Sequence, residues 1–148
     1  MSIKKFIRVF GLSLLVIIAS VPTGCSKVDN IPRIDFTIDL TNGNVTDAQG
    51  AYLFQIPDYD KLFLTGGSVY VNGLIVFKGI DLNYYALSQY CPNDACNLEY
   101  QVSFDRVYCP CDGSLFDIYG SVTMGPATVD LYRYATSISG ILLHVYTP

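Results

Sequence analysis

Histidine is almost missing from this chain: His144 is the only one in 148 residues. A Ser-His-Asp arrangement needs an imidazole beside its nucleophile. His144 lies in a run that reads as the last strand, where a polar β-strand residue is its simplest role. Nothing marks a paired-carboxylate hydrolase either, so the chain is expected not to be an enzyme. Basic residues are scarce after position 24: six Lys+Arg face thirteen acidic residues there, a net charge of −7. That balance disfavours nucleic acid and anionic lipid as partners. From Ala51 onward no stretch of three helical turns appears, and the sequence shows no internal repeat or low-complexity tract. Asn93, Asp94, Asp112 and Asp117 could gather oxygens for Ca²⁺, but their spacing is not that of a calcium loop. Asp58-Tyr59-Asp60 reads as a solvated turn.

Only one apolar run is of any length, Val9 to Val21, preceded by Lys4, Lys5 and Arg8. It is too short and too early for a transmembrane span and suits a signal-peptide core. It leads into Val21-Pro22-Thr23-Gly24-Cys25-Ser26. Small residues directly before a cysteine resemble the bacterial lipobox, although Pro22 stands where leucine is usual. The resemblance implies a lipoprotein signal peptide over 1–24 and lipidation of Cys25. Ser26 after it implies sorting to the outer membrane rather than the inner, so the expected location is the cell envelope, with the membrane as partner through the lipid. Five cysteines is an odd number, and assigning Cys25 to lipid leaves four that can pair. Export also favours disulfides in those four.

Residues 25–50 read as a tether carrying a first strand. Ile34-Asp35-Phe36-Thr37-Ile38-Asp39-Leu40 has the strict alternation of a half-buried strand. From Ala51 to Pro148 the chain is rich in Tyr, Val and Ile, with turn signals every eight to twelve residues. This is the pattern of an all-β sandwich or barrel. Ser68–Val71, Asn72-Gly73 and Leu74–Phe77 predict a two-residue hairpin, because Asn-Gly tolerates the positive φ angles of a type I′ turn. Asn83–Leu87 reads as a further strand, and Val129–Tyr134 with Ile141–Tyr146 as a closing pair turning near Ser139-Gly140.

The remaining cysteines are spaced Cys91-x-Asn93-x-x-Cys96 and Cys109-x-Cys111-Asp112. From spacing alone three possibilities compete: a zinc site, although C-x4-C with C-x-C is not a usual ribbon spacing and export argues against it, two disulfides, or an iron–sulfur site. Rieske [2Fe–2S] domains carry C-x-H, a gap of about fifteen residues or more, and C-x-C-H-G-S. This chain has Cys91-Pro92-Asn93, a gap of fifteen residues, and Cys109-Pro110-Cys111-Asp112-Gly113-Ser114. Phe116-Asp117, Gly120 and Gly125-Pro126-Ala127 continue the likeness, the last resembling the proline loop that covers the cluster. Residues from about 66 to 148 thus resemble a Rieske domain.

The resemblance implies an antiparallel sandwich or barrel with a small loop subdomain over about 90–126. Cys91 and Cys109 match the thiolate ligands, and Ser114 matches a hydroxyl that often bonds the cluster. Asn93 and Asp112 stand at the two histidine positions. Cys96 and Cys111 match a disulfide found in part of the family. An amide and one carboxylate are poor replacements for two imidazoles. The resemblance, with those two replacements, implies a domain that has lost its cluster, with no cofactor or metal expected. Its ligand cysteines are then expected to pair as Cys91–Cys109, beside Cys96–Cys111. The implied role is structural or binding, with a protein partner in the envelope. The alternative is an electron-transfer protein holding a [2Fe–2S] cluster through Cys91, Cys109 and Asp112.

Overall fold

The computed structural model describes residues 32–148; Cys25 and the N-terminal apolar run lie outside them. The alternating segment forms β1 (Asp35–Asp39), which pairs with β2 (Asn44–Asp47), itself paired with β3 (Tyr52–Gln55). A short 3₁₀ turn at Tyr59–Phe63 leads to β4 (Ser68–Val71), β5 (Leu74–Lys78) and β6 (Tyr84–Ser88). The chain then makes β7 (Glu99–Gln101), β8 (Arg106–Tyr108), β9 (Leu115–Asp117) and β10 (Val122–Met124), and returns as β11 (Arg133–Ser139) and β12 (Leu142–Tyr146). All strand pairs are antiparallel. They form an eight-stranded sheet in the order β3-β2-β1-β12-β11-β6-β5-β4 and a four-stranded sheet in the order β10-β9-β8-β7. The all-β expectation holds.

The Asn-Gly turn is where it was expected. Val71 pairs with Leu74 across it, and Asn72 and Gly73 take φ of 50° and 79°. Two segments differ from the sequence reading. The first strand is present as β1, with Phe36, Ile38 and Leu40 buried in the main core, but the residues after it are not tether: Asn44–Asp47 forms β2 of the large sheet, with Val45 buried in the same core. The closing hairpin is also shifted. Val129–Tyr132 is loop, held by the Leu131 N–H donating to the Gly120 carbonyl at 2.8 Å, and the strand runs on to Ser139. Leu131 gave that loop an apolar look because it is buried, at 5 % exposure, in the core beneath the smaller sheet.

β5 and β6 have apolar side chains on both faces, and this decides the architecture. Leu74 and Val76 of β5 and Ala86 of β6 point into the main core with Ile38, Leu62, Leu143 and Val145. Ile75 and Phe77, with Tyr85 and Leu87, point the other way, onto Val107 and Phe116 of the smaller sheet and Leu98 just before it. Side chains alternate along a strand, so an unbroken Leu-Ile-Val-Phe run serves a strand covered on both sides. The eight-stranded sheet curls so that β1 and β12 share a core with β4–β6. The four-stranded sheet packs on the outer face of β5 and β6. Phe77 stacks on Tyr100 at a centroid distance of 4.3 Å, and the Tyr70 hydroxyl donates to the Leu98 carbonyl at 2.6 Å.

Two substitutions measure these contacts. Leu143→Ala, at a fully buried position, should lower stability by about 2–5 kcal/mol in urea unfolding. Tyr70→Phe, which removes only the bond to Leu98, should cost about 0.5–1.5 kcal/mol.

Candidate functional site

The smaller sheet presents two loops of matching design. In the first, the Cys91 N–H donates to the Cys96 carbonyl at 2.8 Å, and the Ala95 N–H returns to the Cys91 carbonyl at 3.0 Å. In the second, the Cys109 N–H donates to the Ser114 carbonyl at 2.9 Å, and the Gly113 N–H returns to the Cys109 carbonyl at 3.0 Å. The fifth residue of each loop is left-handed, Ala95 at φ 53° and Gly113 at φ 82°. Glycine adopts that conformation without steric cost, whereas alanine is strained there. The equivalence also aligns Asp94 with Asp112, and Cys96 with Ser114.

The first residues of the two loops meet. Cys91 and Cys109 are disulfide-bonded, with Cα atoms 5.8 Å apart. Both are buried, in one cluster with Leu98, Val107, Phe116 and Ala127. Nearer the surface Cys96 and Cys111 form a second disulfide between the same loops; Cys96 is half-buried and Cys111 exposed. The pairing implied by the family likeness is therefore present in full.

Asp112 is the third member of the site. Its Oδ2 lies 3.6 Å from Cys91 Sγ; a disulfide sulfur has no proton to give, so this is proximity rather than a hydrogen bond. Its Oδ1 accepts the Ser114 N–H at 2.8 Å. That backbone bond holds the carboxyl below the ordinary carboxylate range, with smaller help from the Ser114 hydroxyl and the Asn93 amide. One donor atom from each of Cys91, Cys109 and Asp112 lies within 4.8 Å of the other two.

Ser114 is fully buried, and its hydroxyl oxygen accepts the Ala127 N–H at 2.8 Å. It fastens the Gly125-Pro126-Ala127 loop over the site. Of the other residues singled out, Asp117 is occupied by its own turn, accepting the Tyr119 and Ser121 N–H groups at 2.9 Å. Asp94 is exposed on the first loop. His144 is on β12, 2.8 Å from Asp35 of β1, on the large sheet rather than on these loops. Sequence reasoning missed the likeness of the two loops. The shared distance from each first cysteine to Ala95 and to Gly113 was the available signal.

The family model for the Rieske [2Fe-2S] domain matches residues 54–135, and the chain belongs to that family. It is 31 % identical over 85 residues to the cytochrome b6-f complex iron-sulfur subunit of Synechococcus elongatus, covering 57 % of this chain and 46 % of that protein. The corresponding subunit of Parasynechococcus marenigrum is 29 % identical over 89 residues, 60 % of this chain and 49 % of that one. The chain thus spans about half the length of these relatives. Among solved structures, the ferredoxin of carbazole 1,9a-dioxygenase from Nocardioides aromaticivorans shares the fold. The TM-score is 0.51 at 20 % identity, over 64 % of this chain and 97 % of that one.

A Rieske centre takes two thiolates on one iron and two imidazoles on the other. By the motif likeness, the residues matching the two thiolate positions, Cys91 and Cys109, are joined to each other, and those matching the imidazole positions are Asn93 and Asp112. The donor set does not fit the family's cluster.

Two measurements test these contacts. Ser114→Ala leaves the buried Ala127 N–H without its acceptor and should cost about 1–3 kcal/mol of stability. Because folding lowers the Asp112 pKa, its contribution is complete above about pH 4 and is lost as pH falls through the lowered value. Asp112→Asn should therefore flatten the acid limb of the stability–pH curve and leave its slope at neutral pH unchanged.

Proposed function

We propose that this chain is a cell-envelope lipoprotein whose Rieske domain works without a [2Fe–2S] cluster, in a structural or binding role. The observation that carries the reading is the Cys91–Cys109 disulfide in a site whose two imidazole positions hold an amide and a carboxylate. Each disulfide contributes on the order of 2–4 kcal/mol, less for the second because the first closes nearly the same loop. Together they supply the stapling that a bound cluster gives between two loops. On this reading Cys25 carries the lipid, the membrane is a partner through that anchor, and the domain meets a protein partner in the envelope. The lipobox-like residues Val21–Ser26 support the anchor. A fold does not dictate a function, so the electron-transfer complex named for the relatives is not carried over.

A second reading has one observation in its favour. Cys91, Cys109 and Asp112 converge within 4.8 Å, and in a thiolate form they could offer three ligands to an electron-transferring cluster with atypical ligation.

Iron, labile sulfide and thiols separate the two. The full chain, purified without reductant, should contain neither iron nor sulfide in stoichiometric amount. After denaturation and alkylation, peptide mapping should find Cys91, Cys96, Cys109 and Cys111 all unmodified. Alkylation confined to Cys91 and Cys109, with iron and sulfide present, would overturn the cluster-free reading.

A further inference from the structure

The Cys91–Cys109 pair has a second chemical state, and its surroundings suit that state to a different ligand. We propose that on reduction of this disulfide Cys91, Cys109 and Asp112 become a binding site for one tetrahedral d¹⁰ cation, with Zn²⁺ the ion that best matches the donors. The site differs in composition from an iron–sulfur centre, since it holds a single ion, no inorganic sulfide and no imidazole.

Interatomic distances favour such a site. Zinc binds thiolate sulfur at about 2.3 Å and carboxylate oxygen at about 2.0 Å, so a sulfur and an oxygen on one tetrahedral ion lie about 3.5 Å apart. The separation of Asp112 Oδ2 from Cys91 Sγ is 3.6 Å. Two thiolates on the same ion lie about 3.8 Å apart, so opening the disulfide requires the sulfurs to part by roughly 2 Å. Rotation about the two Cα–Cβ bonds provides that movement while the Cα atoms stay near their 5.8 Å spacing.

The surroundings agree. Ser114 N–H holds Asp112 Oδ1 and leaves Oδ2 toward the sulfur. An outer hydrogen bond of this kind orients a ligating carboxylate. Cys91 and Cys109 are shielded, at 2 % and 0 % exposure, whereas Asp112 is half-exposed and leaves a side for the ion to enter. Water completes four-coordination around three protein ligands. Two thiolates favour zinc over calcium or magnesium, which select oxygen.

The chemistry balances. A dithiol reductant gives two electrons and two protons to the Cys91–Cys109 bond and becomes a cyclic disulfide, leaving two thiols on the protein. Metal binding then displaces both thiol protons to solvent as two S–metal bonds and one O–metal bond form. The disulfide thus excludes the ion, and the ion, once bound, protects the thiols from reoxidation.

The inference rests on the cluster-free reading only for the Cys91–Cys109 pair, and its test is separate. The full chain carrying Cys96→Ser and Cys111→Ser, reduced with dithiothreitol and transferred to anaerobic buffer, is titrated with Co²⁺ as a spectroscopic stand-in, then with Zn²⁺. One equivalent of Co²⁺ should give a sulfur-to-cobalt charge-transfer band of two-thiolate intensity together with tetrahedral d–d absorption. One equivalent of Zn²⁺ should displace it. Adding Asp112→Asn should weaken binding by about tenfold or more while keeping the band. The same chain with Cys91→Ser and Cys109→Ser added, which retains only Cys25, gives the background and should lack the band. The proposal is overturned if that control binds equally, if Asp112→Asn leaves affinity unchanged, or if reduction destroys the β-sheet circular dichroism and metal does not restore it. Iron and sulfide in the isolated protein bear on the cluster-free reading alone.

Discussion

The covalent bond between Cys91 and Cys109 is the constraint around which the smaller sheet is organised. It joins the first residues of two loops, each of which is also closed by its own backbone bonds. It does so inside the apolar cluster that includes Leu98, Val107 and Phe116. The first loop lies between β6 and the three-residue β7, and the second between β8 and β9, also of three residues each. Burial of the sulfurs ties the two loops to the core, and Cys96–Cys111 repeats the tie nearer the solvent. Ser114 then brings in the Ala127 loop by one buried hydrogen bond. The site's geometry is a consequence of these few links.

The same smaller sheet depends on β5 and β6. Those strands form the wall shared by both cores, with Leu74 and Val76 on one side and Ile75 and Phe77 on the other. A change at Phe77 would loosen the platform under Tyr100, while a change at Val76 would act on the main core. Because the two sets are neighbours in one strand, the two cores respond together to any backbone shift there. This is a family fold in which the larger sheet positions the loops, and the loops carry whatever chemistry the chain retains.

Much of this was legible in the sequence where local physics is decisive. Asn72-Gly73 marked a turn because few residues accept two successive positive φ angles. Ile34–Leu40 marked a strand by alternation, and the run Leu74–Phe77 was readable as a strand. The disulfide pairing was not legible from spacing, which left three chemistries open; the likeness to a family supplied it. Arg133–Ser139 was missed in part because its second half faces solvent and carries Thr136, Ser137 and Ser139, weak apolar signals. Val129–Tyr132 misled because Leu131 is buried from a loop. Nor could composition show that Asn44–Asp47 forms a strand, since a strand of four residues with one buried side chain has little pattern to display. At the site, sequence named the residues but not the aim of Asp112 Oδ2, which is set by a backbone bond two residues away.

The two disulfides also define covalent rings. Cys91–Cys109 closes residues 92–108 into one ring, and Cys96–Cys111 closes residues 97–110 into another that overlaps it. β7, β8 and the turn between them fall within both. That turn carries Val102 and Phe104, which are 40 % and 67 % exposed, and is open to a protease. A single cut there opens the backbone without releasing a fragment, because each new end remains bound to the body of the domain through sulfur. Cleavage at this turn thus leaves the domain in one covalent piece for as long as a disulfide survives.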